Sequence, residues 1–189
     1  MEGTTLNKIK RMLKSEYAII LICLLLLVVL SLTTPTFATA TNLLNIVKRT
    51  STTGIIALGM TFVICTGGID LSVGGQVALI GTTGAILLAD NISIVVVVLI
   101  MLLLGSVVGT VNGFFTSYVK LPAFMVTLAM LNVTKGLAFY FTTGKTLYNI
   151  PDEFANIGLA NIGGENGIPI AAVYLIILAV VCQFILRKT

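Results

Sequence analysis

The chain contains no histidine, so it lacks the side chain most often used near neutral pH as a general base and a metal ligand. It also has no Gly-x-x-x-x-Gly-Lys-Ser/Thr loop to cradle phosphates. Charge is scarce, at 10% of residues, and six of the seven acidic residues, Glu2, Glu16, Asp90, Asp152, Glu153 and Glu165, fall at the ends of apolar runs or between them. No pair of carboxylates is thus placed for acid–base work. The inventory argues against an enzyme, and no catalytic residue, cofactor or metal is assigned to this chain. Its three cysteines, Cys23, Cys65 and Cys182, each lie inside apolar sequence, where they act as small hydrophobes and not as a disulfide or metal framework.

What is present is apolar: 57% of the residues are hydrophobic, in runs longer than a soluble core helix needs. Backbone facing lipid must satisfy its own hydrogen bonds, which leaves helices or a closed barrel, and the runs lack the alternation of barrel strands. The expected fold is therefore all-α and polytopic. Lys8, Lys10, Arg11 and Lys14 form a cytoplasmic tail over residues 1–16, ahead of a membrane domain over 17–189. Apolar runs predict spans at 17–32 (stopped by Thr33-Thr34-Pro35), near 42–66, at 71–89, at 92–111, from 121 or 122 to 142, and at 168–186. Asp90-Asn91 reads as a tight outer turn and residues 144–167 as a polar loop on the outer face. Ala38-Thr39-Ala40 imitates a signal-peptide cleavage site, but the run before it is long for such a segment and membrane-like sequence continues after it. Six crossings place both termini inside, with seven basic residues cytoplasmic against Lys48, Arg49, Lys135 and Lys145 outside or buried.

The most informative stretch is an interruption. Asp70 stands between Gly67-Gly68 and Gly74-Gly75 in otherwise apolar sequence, and an intramembrane carboxylate points to function. The expectation is that the second helix, capped by Asn42, ends at Gly67 and Gly68, and that Asp70 caps the third by accepting amide hydrogens near Ser72 and Val73. A second helix confined to 54–66 would span only about 20 Å and leave Asp70 inside the membrane, whereas a start near Asn42 brings Asp70 to the cytoplasmic face. Lys135, well inside the fifth run, is expected to need a partner, Asp70 being one candidate. Gly105, Gly109 and Gly113 form a stripe for close helix packing, repeated by Gly74, Ala78 and Thr82 on the third span.

These residues carry a resemblance. Gly59-Met60-Thr61 followed by Thr66-Gly67-Gly68-Ile69-Asp70-Leu71-Ser72-Val73-Gly74 is similar to the signature of permease subunits of ribose-type sugar ABC importers. Asn42-Leu43-Leu44-Asn45-Ile46 before it, Gly109-Thr110-Val111-Asn112-Gly113 after it, and Leu121-Pro122-Ala123-Phe124-Met125-Val126-Thr127-Leu128 agree in order. The chain departs from the pattern at Ala129, where glycine is usual, and at Lys135, where arginine is usual; lysine keeps the charge and loses the planar fork.

The resemblance implies a permease half that passes a monosaccharide delivered by an extracytoplasmic binding protein, driven by a separate cytoplasmic ATPase that uses ATP, with a second permease copy completing the path. No nucleic-acid partner is expected. Gly67, Gly68, Asp70, Ser72 and Gly74 would form the signature loop, and Asn112 and Lys135 would supply pathway or buried charge. The chain resembles a little over half of such a permease and stops just before the ATPase-docking segment, so a truncated product without transport is a further expectation. Other solutes of the wider family, such as nucleosides or branched-chain amino acids, stay open. A self-sufficient channel or ion-coupled carrier is disfavoured, since Asp70 is the one candidate buried carboxylate.

Overall fold

A computed structural model describes residues 17–147, 150–164 and 166–188. The basic tail over 1–16 and Glu165 lie outside the described residues. The order is α1 (Tyr17–Thr33), α2 (Ala40–Cys65), α3 (Val73–Ala89), α4 (Ile94–Ser117), α5 (Ala123–Thr142), α6 (Asp152–Leu159), β1 (Asn161–Ile162), β2 (Ile168–Pro169) and α7 (Ile170–Lys188). Helices α4, α5 and α7 are long and apolar enough to cross a membrane, and α3 and most of α1 are apolar but shorter. Helix α2 is long and carries Lys48, Arg49 and several hydroxyls, of which Ser51, Thr52 and Thr53 fold back onto carbonyls four residues earlier. Leucines 24 to 27 of α1 are exposed, as expected of a helix whose solvent is lipid.

Local chemistry fixes the helix ends. Helix α1 stops at Thr33, two residues before Pro35, as predicted. Helix α2 begins at Ala40, ahead of the expected cap: Thr39 is the N-cap, accepting from the Asn42 amide at 3.3 Å, while the Asn42 side chain donates to the Phe37 carbonyl at 2.7 Å. Its 26 residues span about 39 Å, so the short form over 54–66 is not the one adopted. Asp90-Asn91 does turn the chain, with Asn91 at φ 60°. Helix α4 overruns its predicted end at 111 and continues to Ser117. Asn112, just past the predicted end, lies inside the helix, and its side-chain amide donates to Ser72 on another segment. The predicted polar loop also holds structure: α6, with Asp152 and Glu153 at its positive end, and the β1–β2 pair, which ties to α7 through the Ile170 amide on the Ala160 carbonyl.

Helix α3 is the centre of one group, packed on α5 and α4, while α2 packs on α7. The α3–α5 approach is closest at Gly75, where an added Cβ would lie 2.8 Å from the Leu131 carbonyl oxygen and collide with the Thr134 hydroxyl. Gly84 faces Met101 of α4. The predicted stripe behaves differently. Gly105 meets only Ile80, at 3.4 Å from a would-be Cβ, and Gly74, Gly109 and Gly113 have nothing within 4 Å. Among the described residues Gly109 and Gly113 meet no neighbouring helix, while α4 buries the adjacent Val108 and Asn112.

Candidate functional site

The break is built from two hydrogen-bonding devices. On the α2 side, the Gly68 amide donates to the Val63 carbonyl at 3.1 Å and the Gly67 amide to Ile64 at 2.9 Å. This double closure satisfies carbonyls that a helix end leaves open, and it requires a left-handed residue, supplied by Gly67 at φ +77°. Gly68 has no such φ; its lack of a side chain serves the close approach of Val63, 3.3 Å from a would-be Cβ.

On the α3 side the N-cap is Ser72, not Asp70. Asp70 stands two residues earlier, and its Oδ1 accepts both the Ser72 amide at 2.7 Å and the Ser72 hydroxyl. This is a turn that aspartate forms with its own backbone two residues on. The expected amide acceptance is present at Ser72, and no bond to Val73 forms because the carboxylate is engaged one residue earlier.

Ser72 is fully buried and acts as a hub. While its hydroxyl donates to Asp70, its oxygen accepts from Gln76 Nε2 at 2.8 Å and from Asn112 Nδ2 at 3.0 Å. One hydrogen and two lone pairs are thereby all used. Asn112 is 6% exposed, and its Oδ1 is buried with no partner. On the third side Thr127, also buried, lies 2.8 Å from its own Ala123 carbonyl and 3.1 Å from the Ile69 carbonyl, tying the break to α5.

A cavity of about 440 Å³ lies beside this network, bordered by Gly67, Gly68, Asp70, Asn112, Thr116 and Thr127, with Gly109 and Gly113 on its α4 wall. The structure thus brings together Gly67, Gly68, Asp70, Ser72 and Asn112 from the sequence reading. It leaves Gly74 exposed at the start of α3 and Gly105 away from this cavity, facing Ile80. Lys135 is exposed, and the ion pair with Asp70 is not formed. Eight residues separate Lys135 from Thr127 along α5, about 12 Å, and the neighbouring Thr134 takes the face turned to α3. Gln76 and Thr127 were not singled out as site residues. Gln76 carried a readable signal, standing four residues after Ser72 on one helix face; nothing in the sequence tied Thr127 to Ile69.

An interrupted run of apolar helices with buried polar side chains gathered at the interruption is the layout of a multi-pass membrane transport protein. The chain belongs to the permease-component family of branched-chain amino acid transport systems, which matches residues 42–189. It is 34% identical over its whole length to the ribose import permease protein RbsC of Haemophilus influenzae, covering 59% of that protein. It is 37% identical over 77% of its length to RbsC of Escherichia coli K12, covering 46% of it. It is 35% identical over 90% of its length to the L-arabinose ABC transporter permease protein AraH of Azospirillum brasilense, covering 50% of it. The chain thus spans about half the length of these relatives. No solved structure matches it. Family and apolar helices together make it a multi-pass protein of the cell membrane.

Proposed function

We propose that this chain supplies membrane-spanning helices of a permease in an ATP-binding-cassette importer for a monosaccharide, with a five-carbon aldose as cargo. The observation that carries the reading is that relatives at 34 to 37% identity are named for ribose, L-arabinose and xylose. In this reading the chain hydrolyses nothing itself. A cytoplasmic ATPase provides the work, an outer binding protein delivers the sugar, and a second permease copy faces this one across the path. Six crossings with both termini cytoplasmic fit the packing. Helices α3 and α5 run the same way, with Gly68 near Ala123 and Gly75 near Leu131, while α4 runs opposite, with Gly84 near Met101 and Gly105 near Ile80.

The test is uptake of radiolabelled D-ribose, L-arabinose and D-xylose by cells lacking their own pentose permeases and supplied with this protein, the ATPase and the binding protein. Uptake of one pentose above the vector control, lost when the ATPase is disabled, is expected. Absence of uptake while the protein is present in the membrane fraction would reject the reading.

A further inference from the structure

The cavity beside the break has open hydrogen-bond acceptors. Asp70 Oδ1 is occupied twice by Ser72, and its Oδ2 accepts no bond among the described residues. Because Ser72 has given its one hydroxyl hydrogen to Asp70, Asn112 must turn its NH2 toward Ser72. That leaves Asn112 Oδ1 as an acceptor without a donor. The threonine hydroxyl hydrogens that border the cavity are committed elsewhere: Thr66 to the Val63 carbonyl, Thr116 to the Asn112 carbonyl and Thr127 to Ala123 and Ile69. A buried acceptor left alone, as Asn112 Oδ1 is, costs about 1 to 3 kcal/mol. At about 440 Å³ the space is far larger than one water needs and falls in the size range of small-molecule sites. Gly109 and Gly113 keep it open, since a side chain at either position would project into empty space.

We propose that this cavity is a binding site for a polyhydroxylated molecule, whose hydroxyl hydrogens go to the free acceptors of Asp70 and Asn112. The assignment of that molecule as the transported pentose rests on the permease reading above. A neutral ligand carrying several hydroxyls fits a site with open acceptors on Asp70 and Asn112.

The experiment is isothermal titration of D-ribose, L-arabinose and D-xylose into the full chain in lipid nanodiscs, alongside the uptake assay. Asp70→Asn keeps an oxygen for Ser72 and turns the outward atom into a donor, while Gly109→Val fills the cavity. Circular dichroism melting confirms that both fold. The expected result is at least tenfold weaker pentose binding in both variants, with Gly136→Ala, which meets nothing within 4 Å, binding like the parent. Pentose uptake with binding unchanged in both folded variants would overturn the site and leave the permease reading intact. No uptake and no binding by the parent chain would overturn both.

Discussion

Adding one methyl group to Gly75 and one to Gly74 makes a demanding comparison, because the two are adjacent on α3 and differ only in what they face. Either alanine removes glycine's entropic cost within a helix, a gain of about 0.5 to 1 kcal/mol. At Gly74 nothing lies within 4 Å, so the gain stands alone. At Gly75 the new Cβ meets the Thr134 hydroxyl, the Leu131 carbonyl oxygen at 2.8 Å and the Leu131 Cδ1 at 3.2 Å. Thr134 cannot simply swing away, because its hydroxyl is bonded to the Met130 carbonyl at 2.7 Å, and the Leu131 carbonyl moves only if α5 moves. Overpacking of this kind costs about 1 to 3 kcal/mol. After the propensity gain, Gly75→Ala should be up to about 2.5 kcal/mol less stable than the parent, and Gly74→Ala slightly more stable. Reversible unfolding by SDS in mixed micelles, followed by far-ultraviolet ellipticity, measures both. Adding Thr134→Ala to Gly75→Ala should recover only part of the loss, since the Leu131 carbonyl remains. Equal midpoints for the two single variants would show that α3 and α5 do not approach as described.

Gly67→Ala forces a Cβ into left-handed backbone at φ +77° and should cost about 1 to 2 kcal/mol in the same assay. Gly67→Asn should cost less, as Asn91 already occupies that conformation at the end of α3; the reverse ranking would contradict the described closure of α2. Asp70→Leu strands the buried amide and hydroxyl of Ser72 and should lower stability by about 2 kcal/mol or more, while Asp70→Asn should unfold close to the parent. If both unfold alike, the turn is not held by this oxygen. In the six-crossing reading, a cysteine at Asn156 on α6, in a background without Cys23, Cys65 and Cys182, should react with an impermeant thiol reagent added to intact cells. Labelling only after cell breakage would invert the topology.

The sequence made the apolar helices and the interruption legible because both are local. Run length specifies α1, α3, α5 and α7 to within about two residues of where they lie, and Gly67 announces a helix end whatever surrounds it. Partnership across helices was less visible. The fourth apolar run ends at 111, yet α4 continues through Asn112, which bonds Ser72, and Lys135 looked buried because its run is apolar, although the helix turns Thr134 inward and Lys135 out. The glycine stripe makes the same point: spacing shows which residues share a face, but it does not show which face another helix chooses. On α4 that face carries Val108 and Asn112, and the glycines of 109 and 113 border empty space instead.

The hydroxyls of this chain are spent mostly on their own helices. Ser51, Thr83, Ser106, Thr110, Thr134 and Thr142 all bond backward to a carbonyl four residues earlier. Two side-chain hydrogen bonds that do pass between distant segments, Asn112 to Ser72 and Thr127 to Ile69, fall together at the break. Apolar helices in lipid have many sliding positions of nearly equal energy, since burying one apolar surface against another gains little over lipid. A polar clasp at a single level removes that freedom. It sets the axial alignment of α4 and α5 against the start of α3, much as a notch in a key fixes its depth in the lock.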